Sequence, residues 1–306
     1  MKLSIVTTLY KSQEYVEEFY RRSSIAARKL VGEDFEIIFV NDGSPDRSLS
    51  LAVELSDNDS KVVTVDLSRN FGHHKAMMAG LSYAQGELIY LIDSDLEESP
   101  EWIGNFFEVM VDETADTVFG VQGKRRGGIF DRFTGWLFYR LFRTATGIPQ
   151  PDNVVTARLM SRNYVDALLQ HREREINIGG LWIITGFHQV PVKVDKVVSS
   201  PTTYSPAKKI SNFVNAITAF SSLPLVLIFY LGLVITLSAV GFSGYLMMSY
   251  FANGSPVEGY LSTIVSIWFF SGLITLFQGI QGIYLAKIFS EVKQRPNTIV
   301  RKVYRA

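Results

Sequence analysis

The chain has 306 residues, room for one ample domain and a smaller addition, since single cores stop growing near ~250–300 residues. Its 30 basic and 30 acidic side chains cancel, so nothing in the total points to a nucleic-acid partner. With no cysteine, it has neither disulfides nor thiolate metal sites, and any metal must use oxygen or imidazole ligands.

Met1-Lys2 runs straight into an apolar stretch too short for a secretory signal, so the N-terminal domain is expected in the cytoplasm. Residues 3–8 read as a buried strand, 14–30 as an amphipathic helix, 35–40 as a second strand and 46–56 as a helix. A third strand follows at 62–66, a helix at 74–84 and a fourth strand at 88–92. Strands alternating with helices over residues 1–205 predict an α/β domain, with a mainly parallel sheet covered on both faces. Ligands of such sheets bind beyond the carboxyl ends of the strands. That rule marks four polar loops: Thr7-Thr8-Leu9-Tyr10-Lys11-Ser12, Asn41-Asp42-Gly43-Ser44, Ser68-Arg69-Asn70-Phe71-Gly72 and Asp93-Ser94-Asp95-Leu96-Glu97.

The last loop carries the clearest chemistry. Asp93 and Asp95, with Glu97 two residues on, suit a hard divalent cation, because Mg²⁺ is commonly held by one or two carboxylates plus substrate phosphates. An Asp-x-Asp pair can also be no more than a helix cap; its position after the fourth strand, beside three other polar loops, favours the site. Asp42, ahead of Gly43-Ser44, can accept from a base N–H or make a plain Asx-turn. Arg69, Lys75, Arg125 and Arg126 are candidate phosphate-binding cations or solvated surface charges. His73 and His74 open a helix, where capping or a substrate loop is favoured over metal ligation.

Residues 127–144 interleave Ile129, Phe130, Phe133, Trp136, Leu137 and Leu141 with Arg132, Arg140 and Arg143. That pattern suits an interfacial amphipathic helix, or an ordinary helix packed on the domain. Residues 176–187 form an apolar run too short to span. From 210 to 257 there is no charge, and a second uncharged run covers 259–286. Both exceed the roughly 20 residues a span requires. Residues 206–221 are expected to be interfacial, 222–251 and 259–288 to be transmembrane helices, and 289–306 to be a basic cytoplasmic tail. Lys208, Lys209, Lys287, Lys293, Arg295, Arg301, Lys302 and Arg305 flank the pair, and the connector 252–258 has no basic residue. The positive-inside rule therefore places both flanks, and both termini, on the cytoplasmic side of a cytoplasmic (inner) membrane.

Taken together, Ile5-Val6-Thr7-Thr8-Leu9-Tyr10, Val40-Asn41-Asp42-Gly43-Ser44, Ser68-Arg69-Asn70-Phe71-Gly72, Ala79-Gly80-Leu81, Asp93-Ser94-Asp95-Leu96 and Arg158-Leu159-Met160-Ser161-Arg162 resemble inverting family-2 GT-A glycosyltransferases. With the hairpin and the closing Gln294-Arg295-Pro296, the chain is similar to the polyprenyl-phosphate hexosyltransferases: bactoprenol glucosyltransferases, aminoarabinose transferases and dolichyl-phosphate mannose synthases. The resemblance implies transfer of a sugar from a nucleotide donor, UDP-sugars favoured, to undecaprenyl or another polyprenyl phosphate at the bilayer, with Mg²⁺ or Mn²⁺. The products would serve cell-envelope glycosylation such as O-antigen modification, and oligomers through the hairpin are implied as well.

By position, Thr8, Leu9, Tyr10, Ser12, Asp42, Ser44, Lys75, Asp93 and Ser94 would bind the donor. Asp93, Asp95 and Glu97 would hold the metal. Asp95, Arg125 and Arg158 would be catalytic, and Arg158, Arg126 and Tyr204 would meet the acceptor phosphate. Three departures stand out: Lys11-Ser12 where relatives have Asn-Glu, Thr156-Ala157 where they have Asp-Phe, and Thr203 where they have Lys. These leave room for a noncatalytic membrane scaffold or flippase partner. A processive synthase would want more spans.

Overall fold

The computed structural model describes residues 2–123, 153–174, 176–196, 218, 221–253 and 259–306. It divides into a mixed α/β unit, which takes in the last twelve residues of the chain, and a helical unit.

The α/β unit follows the alternation of the sequence: β1 (Leu3–Leu9), α1 (Val16–Val31), β2 (Phe35–Asn41), α2 (Ser48–Asn58), β3 (Val62–Leu67), α3 (His73–Tyr83), β4 (Leu88–Leu91), α4 (Trp102–Asp112), β5 (Thr117–Gln122), β6 (Val154–Ser161), α5 (Arg162–Leu168), α6 (Ile178–Ile184) and β7 (Gln189–Val194). Every residue of β1, β2 and β3 is buried, as strands covered on both faces must be. Alternation assigns the faces. Ile5, Ile37 and Phe39 pack with Phe19 of α1, whose ring meets Phe39 edge-on at 5.9 Å. Val6 and Val40 meet α3 at Gly80, where a Cβ would fall 2.5 and 2.7 Å from their methyls. Helix α1 carries Glu17 and Glu18 in its first turn and Arg28 and Lys29 in its last, complementing its dipole, and ends at Gly32 with φ 65°.

With a last strand, β8 (Val300–Tyr304), the sheet order is β7-β5-β6-β4-β1-β2-β3-β8. It is mixed, where a mainly parallel sheet was expected: β6 runs antiparallel to both β4 and β5, and β8 runs antiparallel to β3. Residues 300–304 therefore form an edge strand, although the sequence reads them as part of a basic cytoplasmic tail. Arg301 and Lys302 suit an edge, which charge protects from further pairing. The chain steps from β1 outward to β2 and β3, then crosses back to β4 on the other side of β1. This reversal opens a crevice at the carboxyl ends of β1 and β4.

The helical unit contains α7 (Leu223–Asn253) and α8 (Tyr260–Val292). Among the described residues one stretch, Ser266–Val292, is long and apolar enough to cross a membrane by length and composition; the apolar stretch Leu223–Ile235 of α7 is shorter than a span. Large apolar side chains such as Phe229, Leu237, Trp268 and Leu285 are exposed on these helices. Residues 127–144 and most of 206–221, read as interfacial helices, lie outside the described residues.

Candidate active site

The reversal of strand order brings the polar loops together at one sheet edge, and side-chain hydrogen bonds lock them. Ser94, buried behind the acidic loop, donates to Thr8 O at 2.9 Å and to Ser12 Oγ at 3.1 Å, tying the loop after β4 to the loop after β1. Asp42 accepts from the amides of Phe71 (2.7 Å) and Gly72 (3.0 Å), tying the loop after β2 to the loop after β3. Ser44 Oγ accepts from Lys11 N at 2.8 Å. Of the nucleoside residues expected from sequence, Tyr10 is exposed at this edge, whereas the Leu9 side chain is buried in the core and Ser12 is buried beneath the loop. Lys75 lies in the first turn of α3. Arg125, Arg126 and Tyr204 lie outside the described residues.

Gly43 is pinned between these loops. Its φ is 61°, and an added Cβ would fall 2.6 Å from the carbonyl carbon of Arg69 and against the amide of Asn70, both backbone atoms that cannot rotate away. Gly43→Ala is therefore expected to lower stability by roughly 2–3 kcal/mol, combining left-handed strain with displacement of the loop. Thermal unfolding measures this, and a loss below ~0.5 kcal/mol would show that the two loops are not held in register.

At the crevice, Asp93 is the hub. Its Oδ2 accepts from Thr156 Oγ1 at 2.8 Å, and its Oδ1 faces His73 Nε2 at 3.3 Å. His73 Nδ1 lies 3.0 Å from Thr8 Oγ1. Burial would lift the Asp93 carboxyl, but the bond and charge of His73 and the Thr156 hydroxyl outweigh it and hold it below the ordinary range. His73 shows the converse: burial lowers it, yet Asp93 lifts it above an ordinary imidazole. Asp95 is raised by burial and by the charges of Asp93 and Glu97, although Glu97 N donates to it at 3.0 Å.

Two residues that the sequence reading passed over complete the floor. Glu98 is fully buried and accepts from the amides of Thr156 (3.0 Å) and Ala157 (2.7 Å). Lys196, just past β7, bridges Glu97 at 3.2 Å and Glu98 at 3.4 Å. Burial and then the nearby Asp93 charge push Glu98 up to about 7. Glu98→Ala would leave two backbone donors and Lys196 without that carboxylate, an expected cost of roughly 2–4 kcal/mol. The raised value makes the cost pH-dependent. The stability Glu98 contributes is full below about 4.5 and is lost as pH rises through about 7, so the deficit should be larger at pH 5 than at pH 8. A deficit that grows with pH would overturn this assignment.

Arg158, the largest fully buried side chain, lies over the Trp182 ring and donates from Nε to Thr156 O at 3.3 Å. Burial brings its guanidinium down to about 9, so it stays charged at neutral pH. With His73, Glu98, Thr156, Trp182 and Lys196 it lines a cavity of about 440 Å³.

The donor set fits a divalent cation in part. Asp93 Oδ1 is buried with His73 Nε2 at 3.3 Å as its near partner, and burial first, then the charges of Asp93 and Glu97, raises the carboxyl of Asp95. Two carboxylates with substrate phosphates suffice for Mg²⁺. Among the described residues no three His, Asp or Glu side chains gather closely enough to hold a metal by themselves, and Glu97 is engaged by Lys196.

Residues 4–169, from β1 through α5, match glycosyl transferase family 2. The chain belongs to that family. The matched region contains the acidic loop, His73, Glu98, Thr156 and Arg158, and stops short of Lys196 and β8. A Mycobacterium tuberculosis protein named as a glycosyltransferase is 48% identical over 99% of this chain and 89% of its own length. The undecaprenyl-phosphate 4-deoxy-4-formamido-L-arabinose transferase of Klebsiella pneumoniae is 31% identical over 99% of this chain and 94% of its own. Among solved structures, a Pyrobaculum calidifontis mannosyltransferase in complex with GDP-mannose and Mn²⁺ superimposes with a TM-score of 0.50 at 15% identity, covering 96% of this chain and 86% of that one, which speaks to the GT-A-like fold alone. The chain is thus a glycosyltransferase of family 2, related to members that act on polyprenyl phosphate.

Proposed function

We propose that this glycosyltransferase moves a sugar from a nucleoside diphosphate donor, UDP-linked in the first instance, onto a polyprenyl phosphate such as undecaprenyl phosphate. The reaction runs at the cytoplasmic face of the membrane in which α7 and α8 are anchored. The observation that carries the reading is that Thr156, in the wall of the cavity lined by the buried cation Arg158, donates to Asp93 of the acidic loop, so a loop suited to a cation-bound diphosphate adjoins a cavity suited to an anionic acceptor. The relative named for undecaprenyl phosphate, similar along nearly its whole length, supports the acceptor. The stretch Ser266–Val292, long and apolar enough to cross a membrane, supports the membrane.

In this reaction an oxygen of the acceptor phosphate attacks the anomeric carbon as the bond to the diphosphate breaks, inverting the centre, and the nucleoside diphosphate leaves with the electron pair. A phosphate monoester has a second pKa of about 6 and is already largely dianionic at neutral pH. No strong base is needed, in keeping with a threonine at 156 that donates to Asp93 rather than receiving a proton. Asp93 and Asp95 would hold Mg²⁺ or Mn²⁺, which supplies charge neutralisation to the departing diphosphate. His73 and Thr156 fix Asp93 from both sides, so that its carboxylate is oriented before substrate arrives. Arg158 would hold the acceptor phosphate, and Arg125, outside the described residues, would meet the donor phosphates as the resemblance implies.

The test is transfer from radiolabelled UDP-, GDP- and dTDP-sugars to undecaprenyl phosphate, with and without Mg²⁺ or Mn²⁺, in the full chain held in detergent. A metal-dependent lipid-linked product is expected. Folded protein that binds nucleoside diphosphate yet yields no product from any donor would favour a noncatalytic scaffold instead.

A further inference from the structure

The C-terminal strand β8 does more than cover the edge of the sheet. Ser68 N donates to Ile299 O at 2.8 Å, so the loop after β3 is bonded to the residue just before β8. Arg301, whose side chain is 59% exposed, reaches back to that loop from the surface. Its Nη2 donates to Ser68 O at 2.7 Å, and its Nη1 pairs with Asp66 Oδ2 at 3.3 Å; Asp66 is 1% exposed. The other oxygen of Asp66 accepts from Asn41 Nδ2 at 2.8 Å. Asn41 Oδ1 accepts from Ser44 N at 3.2 Å, and Ser44 Oγ from Lys11 N at 2.8 Å. An unbroken series of polar contacts therefore runs from Arg301 through Asp66, Asn41 and Ser44 to Lys11. It touches each of the loops that follow β3, β2 and β1, the three placed at the donor end of the crevice.

We infer that Arg301 is a positioning residue for the donor nucleotide, acting through Asp66 and Asn41 to hold those three loops in their binding arrangement. The role rests on the donor reading above. It places a determinant of donor affinity about 130 residues beyond the region that matches the family, on the far side of the helical unit in sequence. Charge networks of this kind keep their geometry only when every member is satisfied, so loss of the terminal cation loosens the series at its buried carboxylate.

The same strand supplies an internal control. Arg305 pairs with Glu36 at 3.4 Å, a carboxylate that is equally buried and accepts from Ser4 Oγ and Gln85 N, both at 2.7 Å. Glu36 lies near the amino end of β2, at the opposite edge of the sheet from the loops. Arg301 and Arg305 thus fasten β8 by similar pairs and differ in which edge they serve.

The experiment compares Arg301→Ala, Arg301→Lys and Arg305→Ala in the full chain in detergent. Calorimetric binding of UDP, GDP and dTDP with Mg²⁺ is read beside amide hydrogen exchange. Arg301→Ala should weaken binding of the preferred nucleotide roughly 10-fold, raise the donor KM in parallel, and leave kcat and the lipid KM within about twofold. Arg301→Lys should recover part of the loss, since an ammonium can pair with Asp66 without also bridging Ser68 O. Arg305→Ala should leave nucleotide affinity unchanged. Exchange at the Lys11 and Ser44 amides should quicken in Arg301→Ala and not in Arg305→Ala, and this arm needs no nucleotide. Unchanged exchange and affinity in Arg301→Ala, or equal changes in both alanine variants, would overturn the positioning role. Wild-type protein that binds none of the three nucleotides would overturn the donor reading, and the positioning role with it, even where the exchange pattern holds.

Discussion

Asp95→Ala is expected to reduce sugar transfer by 10³-fold or more while leaving thermal stability unchanged or slightly improved. The two halves of this expectation have one cause. Asp95 is a half-buried carboxylate raised by burial and by the charges of Asp93 and Glu97, and its hydrogen bond within the described residues comes from the amide of Glu97. It is therefore ionised at a cost to the folded state, and removing it relieves repulsion in the loop. Its return comes only when a divalent cation and the diphosphate are present, where charge stabilisation is worth several kcal/mol, and ~4 kcal/mol corresponds to about 10³ in rate. Initial rates with saturating donor, set beside a melting curve and Mg²⁺-dependent nucleotide binding, check it. A variant that retains more than a tenth of wild-type activity, or one that unfolds, would show that Asp95 belongs to the scaffold of the loop and not to the chemistry.

Arg158→Met should separate stability from activity in the same way, through burial of the opposite charge. The Arg158 guanidinium is enclosed by Trp182 and Phe119, accepts no ion pair from a carboxylate among the described residues, and is pulled down to about 9 by burial. A buried charge held without a close counter-ion costs several kcal/mol, and replacing such groups by apolar residues of similar volume is often neutral or stabilising. The sign is consistent: a cation whose folded pKa is depressed works against the fold at every pH below that value. The melting temperature should therefore hold or rise, while transfer falls ~10²–10³-fold, the usual effect of removing one preorganised charge from a reacting anion. The acceptor KM should rise more than the donor KM. A large fall in melting temperature with a proportionate loss of activity would assign Arg158 to packing against Trp182 alone.

Asp95 was legible as a candidate because an apolar strand ends in its paired carboxylates, and Arg158 because the family resemblance marks it. Glu98 was not, since in sequence it is the second of two adjacent glutamates followed by Ser99 and Pro100, a pattern that reads as a solvated turn. Its burial follows from β6 arriving antiparallel beside β4, which offers two amides to its carboxylate. Thr156, which the resemblance marks only as a missing carboxylate, acquires its role by donating to Asp93 across 63 residues.

The amino-acid sequence by itself determined what depends on neighbours along the chain. Alternating strands and helices, polar loops at the carboxyl ends of β1–β4, and long apolar segments near the C-terminus follow from periodicity and local propensity, which a short window reports. Only the tertiary structure decided which distant groups meet. The mixed sheet, the Lys196 bridge, the buried Glu98 and the return of β8 to the edge of β3 all join residues tens to hundreds of positions apart; Arg301 reaches Ser68 across 233. Such contacts arise when burial of a whole face sets which strand lies beside which, and a charge on an exposed-looking tail gains its partner only after that choice is made.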